Sequence, residues 1–86
     1  MTVRETKALA QEIAGIVAEV LEQPEGGISA ETRAAEVEAW DSLGHVRIVL
    51  ALEAAFGIRF TMGEIEKGTS IPELARLTRE AQAREG

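Results

Sequence analysis

From Leu43 to Phe56 the apolar residues Leu43, Val46, Val49, Leu50, Leu52 and Phe56 recur at helical spacing, and Gly57 follows at once. That period gathers an apolar set on one side only if the chain is helical. Gly57 supplies the left-handed conformation that commonly ends a helix, so an element of roughly four turns is expected. Ile48 widens the stripe, and only His45, Arg47 and Glu53 are clearly polar within it. A rod of this kind is expected to be buried on most sides, with the rest of the chain arranged around it. Its first residue is expected to be Ser42 acting as N-cap, the side-chain oxygen accepting a backbone N–H one turn in.

Three further helical segments fit around it. Leu9, Ile13, Ile16, Val17, Val20 and Leu21 keep helical spacing from about Val3 to Glu22, with Glu5, Lys7, Glu12 and Glu19 elsewhere on the wheel. Gly15 lies inside this helix and reads as tolerated rather than required. Pro24, Gly26 and Gly27 then break the pattern, and the passage to Asp41 is long for a connection in a small bundle. Ile28, Val37 and Trp40 are its isolated apolar residues and therefore its expected tethers. Thr61 is placed to cap a short turn through Glu64 to Lys67, ended by Gly68. Ser70-Ile71-Pro72-Glu73 has the cap, early proline and third-position glutamate of a helix start. Ile71, Leu74, Ala75, Leu77, Thr78 and Ala81 form the inward face of that last helix, and Arg76, Arg79 and Arg84 its wet face.

Aromatic residues are only 3% of the chain, and no alternating strand of useful length is present. The expected fold class is therefore all-α: a four-helix bundle with a short third helix and a long loop between helices 1 and 2, residues 1–86 forming one domain. With no cysteine and one histidine, the chain offers no disulfide and no metal site. The N-terminus leads into a charged amphipathic pattern, neither a signal peptide nor a membrane span, and a cytoplasmic protein is expected.

Net charge is −6, with −5 of it in residues 1–40, where eight glutamates face Arg4, Lys7 and Arg33. A polyanion needs a basic footprint, so nucleic acid is excluded as a partner and basic protein surfaces fit better.

Ser42 is the residue with chemical promise. As a catalytic nucleophile it needs a base, and His45 has no oriented acid behind it in the sequence. As a cap it needs nothing more. As a covalent attachment point it would place a phosphodiester anion at a helix N-terminus, where free N–H groups and the dipole favour negative charge. Residue chemistry permits the last without selecting it.

Trp40-Asp41-Ser42-Leu43, Val46, the run Ile48-Val49-Leu50-Ala51-Leu52-Glu53 and the close Phe56-Gly57-Ile58 resemble the acyl carrier protein family. In that family an Asp-Ser-Leu motif opens the second of four helices. The helix order and the length agree over nearly the whole chain. The resemblance implies a carrier rather than an enzyme. A phosphopantetheinyl transferase would move the 4'-phosphopantetheine arm of coenzyme A onto Ser42, and the arm's thiol would hold the cargo as a thioester. Asp41 matches the acidic residue that helps the Mg-dependent transferase engage. Leu43 matches the leucine that meets partner enzymes, with Val46 and Arg47 beside it on the expected docking surface. Expected partners are the transferase and the acyl- or aminoacyl-loading and acyl-transfer enzymes; the protein is expected to act as a monomer. Each role has a structural counterpart: Asp41 as a favourable charge at a helix start, Leu43 as core.

The chain departs from the fatty-acid branch of that family. After the serine it carries Gly44, His45 and Arg47, and Ala54 and Ala55 flank the one remaining acid, Glu53. A less negative docking face and a dedicated biosynthetic partner set are expected. His45 is read as a solvated helix residue and Trp40 as a loop anchor. Ala51, Ala54 and Ala55 would give room for cargo or for close helix approach, and weak sequestration is expected. The alternatives are an aminoacyl or peptidyl carrier and, in a different class, an unmodified acidic helical interaction module.

Overall fold

The computed structural model describes residues 3–85, with side chains from Thr6 onward. Met1, Thr2 and the wheel position assigned to Glu5 lie outside what is described. Among the described residues the order is α1 (Val3–Val20), a 3-10 turn (Ala34–Glu36), α2 (Ser42–Phe56), α3 (Met62–Lys67) and α4 (Ile71–Glu85), with no strand beyond one isolated bridge between Arg33 and Ser70. The expected all-helical architecture, short third helix included, is the one observed. Among the described residues no helix is long and apolar enough to cross a membrane.

The core forms where α1 meets its neighbours. Leu9, Ile13, Val17 and Leu21 bury one face of α1, joined by Ala10 and Ala14, against Ile48 and Leu52 of α2 and Ile71, Leu74 and Ala75 of α4. The expectation that the chain wraps around residues 43–56 is corrected here: α1 makes the principal contacts with both α2 and α4, and those two touch each other less. Gly15 faces open space, as tolerance requires.

A second correction concerns burial of α2. Its buried residues are Gly44, Ile48, Val49 and Leu52, one face at helical spacing. Leu43, Val46 and Leu50 lie on another face and are 62%, 51% and 59% exposed. The helix is apolar on two faces, and only one of them meets the bundle.

The long connection is tied down as its isolated apolar residues require. Ile28 and Trp40 are buried and Val37 packs against the core. Polar bonds complete the tether: the Ser29 N–H donates to Thr32 Oγ1 at 2.8 Å, the Ala34 N–H to the Thr69 carbonyl and the Ile71 N–H to the Thr32 carbonyl, both at 2.8 Å. These last two fasten the connection to the coil before α4 and to the first residue of α4.

Helix ends follow their local chemistry. Gly57 terminates α2 at φ 64°, ψ 40°, a region costly for a residue with a β-carbon. Thr61 and Glu64 form a reciprocal capping box on α3. At α4 only half of the expected box is made: Ser70 Oγ accepts the Glu73 N–H at 3.2 Å, while the Glu73 carboxylate turns to Arg76 at 2.8 Å. All six residues expected on the inward face of α4 are buried.

Candidate functional site

The mouth of α2 is assembled from three consecutive residues and the turn they open. The cap is Asp41, not Ser42, which corrects the expected register by one residue. Asp41 has extended backbone, and its Oδ1 accepts the Gly44 N–H at 2.8 Å; its carbonyl accepts the His45 N–H at 2.8 Å. A carboxylate caps as well as a hydroxyl and adds a favourable charge at the positive end of the dipole. Ser42 is thereby moved to the first helical position, exposed, where its hydroxyl has no capping duty. A side chain released in this way is available for chemistry.

Gly44 makes this arrangement possible. A β-carbon there would stand 2.5 Å from the Ala39 carbonyl oxygen and 2.9 Å from Leu21 Cδ2. The end of the long connection and the end of α1 both press on the first turn of α2 through a space only glycine leaves. Nothing in its apolar periodicity marks this residue, although its position in the first turn after a motif serine was a usable signal.

His45 is the second residue that sequence reasoning placed wrongly. It is half-buried rather than solvated. Its Nδ1 accepts the Trp40 indole N–H at 3.0 Å, and its Nε2 lies 2.7 Å from the Ile65 carbonyl oxygen of α3. Indole can only donate and a carbonyl can only accept, so the two partners specify the neutral tautomer with the hydrogen on Nε2. The Trp40 and His45 rings are 22° from coplanar with centroids 6.3 Å apart, as an in-plane N–H···N bond requires. With both nitrogens engaged, the imidazole has none to offer Ser42 as a general base, and the nucleophile reading loses its proton acceptor. Trp40 anchors the connection as expected.

The remaining acid of α2 is also structurally committed. Glu53 Oε2 accepts the Phe60 N–H at 2.9 Å, folding the coil after Gly57 back onto the helix. Arg47 is exposed and, among the described residues, takes part in no ion pair. Outward from α2 the structure therefore presents Leu43, Val46 and Leu50 with a cation among them. Met62, at the start of α3, is 77% exposed.

At the far side of α3 the Arg84 guanidinium holds both Glu64 carboxylate oxygens at 3.1 Å and donates to the Arg59 carbonyl at 2.9 Å. The hydrogen bonds from Arg84, then the Thr61 N–H, hold the Glu64 carboxyl below the usual glutamate value. Glu73 is lowered in the same sense by Arg76. The Glu64 pair ties α3 to the last turn of α4, whereas the Glu73 pair lies within α4. Among the described residues no group of three or more histidines or acids could hold a metal.

The family model described as a phosphopantetheine attachment site matches residues 11–78, most of the chain and all of the site. The chain belongs to the acyl carrier protein family of phosphopantetheine carrier domains. Its fold is that of a solved member: the solution NMR structure of holo acyl carrier protein from Geobacter metallireducens is 30% identical, with a TM-score of 0.76 over 88% of this chain and 87% of that one. A search of curated proteins gives no match. The prosthetic group of a carrier domain is 4'-phosphopantetheine, covalently attached. The residues present suit such a group: an exposed serine, its side chain in no hydrogen bond among the described residues, stands at the N-terminus of a 15-residue helix, where a phosphodiester anion is favoured. When bound, the group supplies a thiol that holds cargo as a thioester.

Proposed function

We propose that Ser42 is the attachment point of the phosphopantetheine arm and that the domain, spanning residues 1–86, carries activated acyl groups on it as a non-catalytic partner of other enzymes. The observation that carries this is the division of labour at the helix mouth: Asp41 caps, leaving Ser42 exposed and, among the described residues, its hydroxyl unengaged. Asp41 keeps one carboxylate oxygen outside the cap bond, which a Mg-dependent transferase would engage. The likeness to a holo acyl carrier protein over nearly the whole chain favours acyl over aminoacyl cargo.

Leu43, Val46 and Arg47 form the surface that modifying, loading and transferring enzymes dock on. Glu53, half-buried, is turned toward the Phe60 N–H, and the charge that stands exposed among Leu43, Val46 and Leu50 is the cation of Arg47. A partner that offers an apolar hollow with a carboxylate at its rim matches this face, whereas a basic one does not. That face supports reading the domain as the carrier of a dedicated biosynthetic pathway rather than of general fatty-acid synthesis.

The test is incubation with coenzyme A and several broad-specificity phosphopantetheinyl transferases, read by intact mass and peptide mapping. One phosphopantetheinyl adduct on the Ser42 peptide, lost in Ser42→Ala, is the expected result. No adduct from any of these enzymes would leave an unmodified acidic interaction module as the better reading.

A further inference from the structure

α3 has six residues and buries none of them. A helix of that length does not persist in water by itself. Its capping box and Gly68, packed against Leu74, secure its ends, Ile65 is half-buried, and two polar ties join it to the bundle. One is the Arg84 guanidinium on Glu64 from the last turn of α4. The other is the His45 imidazole on the Ile65 carbonyl from the first turn of α2. The second tie continues through Nδ1 to the Trp40 indole, which is itself seated in the core. One ring thus joins three pieces of chain: the coil that delivers Ser42, the turn that displays it, and α3.

We infer that His45 is a positioning residue for modification of Ser42, setting α3 beside the mouth of α2 so that Met62 and the Leu43–Val46 strip meet the phosphopantetheinyl transferase as one surface. This rests on Ser42 being the attachment point. The imidazole does not touch the reacting atoms. It acts by fixing where α3 stands, and its neutral tautomer is dictated by a donor on one side and an acceptor on the other. An incoming enzyme then meets a preformed face and has no loose helix to order, which lowers the cost of docking.

The test uses the full chain, coenzyme A and a broad-specificity transferase, with initial rates followed by intact mass. His45→Phe keeps a ring of similar size and removes both bonds. The KM for the carrier is expected to rise about five-fold, the scale of one or two lost hydrogen bonds, with kcat nearly unchanged. In the same variant, amide exchange of Ile65 and Gly68 accelerates while that of α1 and α4 holds. If His45→Phe does not fold, His45→Asn, polar but too short to span both partners, is read the same way with the same expectation.

Wild-type KM and wild-type exchange in α3 would overturn the proposal, as would a uniform loss of protection across the bundle. Those outcomes leave the attachment reading standing, because the adduct still forms on Ser42. Failure of the wild-type chain itself to accept an adduct would remove the attachment reading, and this proposal with it.

Discussion

Gly44 and Ala39 are in contact in a way that no other residue at position 44 permits: a β-carbon would lie 2.5 Å from the Ala39 carbonyl oxygen. The obstacle is backbone, which cannot swing aside as a long side chain can. The coil before Ser42 is seated against α2 through this contact, so the position of the serine depends on a residue that does no chemistry.

Gly44→Ala should therefore destabilise the domain despite the better helix propensity of alanine, which contributes about 1 kcal/mol in the opposite direction. A net loss of roughly 1–3 kcal/mol is expected from the forced backbone shift. Urea denaturation followed by far-UV circular dichroism measures it, and equal or greater stability would contradict the close approach.

Asp41 carries two separable duties. Asp41→Ala removes the acceptor of the Gly44 N–H and should cost about 1 kcal/mol. Asp41→Asn keeps an amide oxygen in the same place and should recover most of that. If the carboxylate also engages the transferase, Asp41→Asn will fold nearly as well as the wild type yet accept the arm more slowly. Equal modification rates would reduce Asp41 to a cap.

The two apolar faces of α2 predict opposite outcomes for similar substitutions. Leu52 is fully buried, and Leu52→Ala should cost about 2–5 kcal/mol. Leu50, two positions earlier and 59% exposed, should cost no more than about 0.5 kcal/mol on truncation to alanine. Leu50→Ala and Leu43→Ala should instead slow loading by partner enzymes. Thermal melts and loading rates on the same samples separate core from docking face.

Arg47→Glu reverses the charge of the outer face without touching the core. Rates with cognate loading or transfer enzymes should fall about two- to five-fold at low ionic strength, the size of a partly exposed ion pair. The difference should shrink as salt is raised. Unchanged rates with every cognate enzyme would remove the charge argument.

The Glu64 and Arg84 pair makes α3 acid-sensitive. Arg84 lowers the Glu64 carboxyl below its ordinary value of 4.5, so the folded state holds its proton more weakly than the unfolded chain does. The stabilisation is complete above that ordinary value and is lost as pH falls through the lower folded one. Arg84→Gln should raise the Glu64 titration toward the ordinary range, as followed by side-chain carboxyl NMR, and flatten the acid limb of the stability curve.

Helix count and order, the end of α2 and the starts of α3 and α4 were legible in the sequence, because spacing, glycine at 57, Thr61 with Glu64, and the Ser70-Ile71-Pro72 start are local signals that act within a turn or two. The inward face of α4 was readable for the same reason: Ile71, Leu74, Ala75, Leu77 and Ala81 recur at helical spacing and carry Thr78 inward with them. The serine and its motif were legible too, through the run Trp40-Asp41-Ser42-Leu43.

Tertiary structure decided what periodicity leaves degenerate. On α2 both faces are apolar, so spacing alone could not tell that Ile48, Val49 and Leu52 face the bundle while Leu43, Val46 and Leu50 face solvent; only the placement of α1 and α4 divides them. Asp41 and Ser42 are adjacent and equally able to cap, and the approach of the preceding coil through Gly44 gives the task to Asp41. His45 found its role in a carbonyl twenty residues away, a distance over which no local pattern carries information.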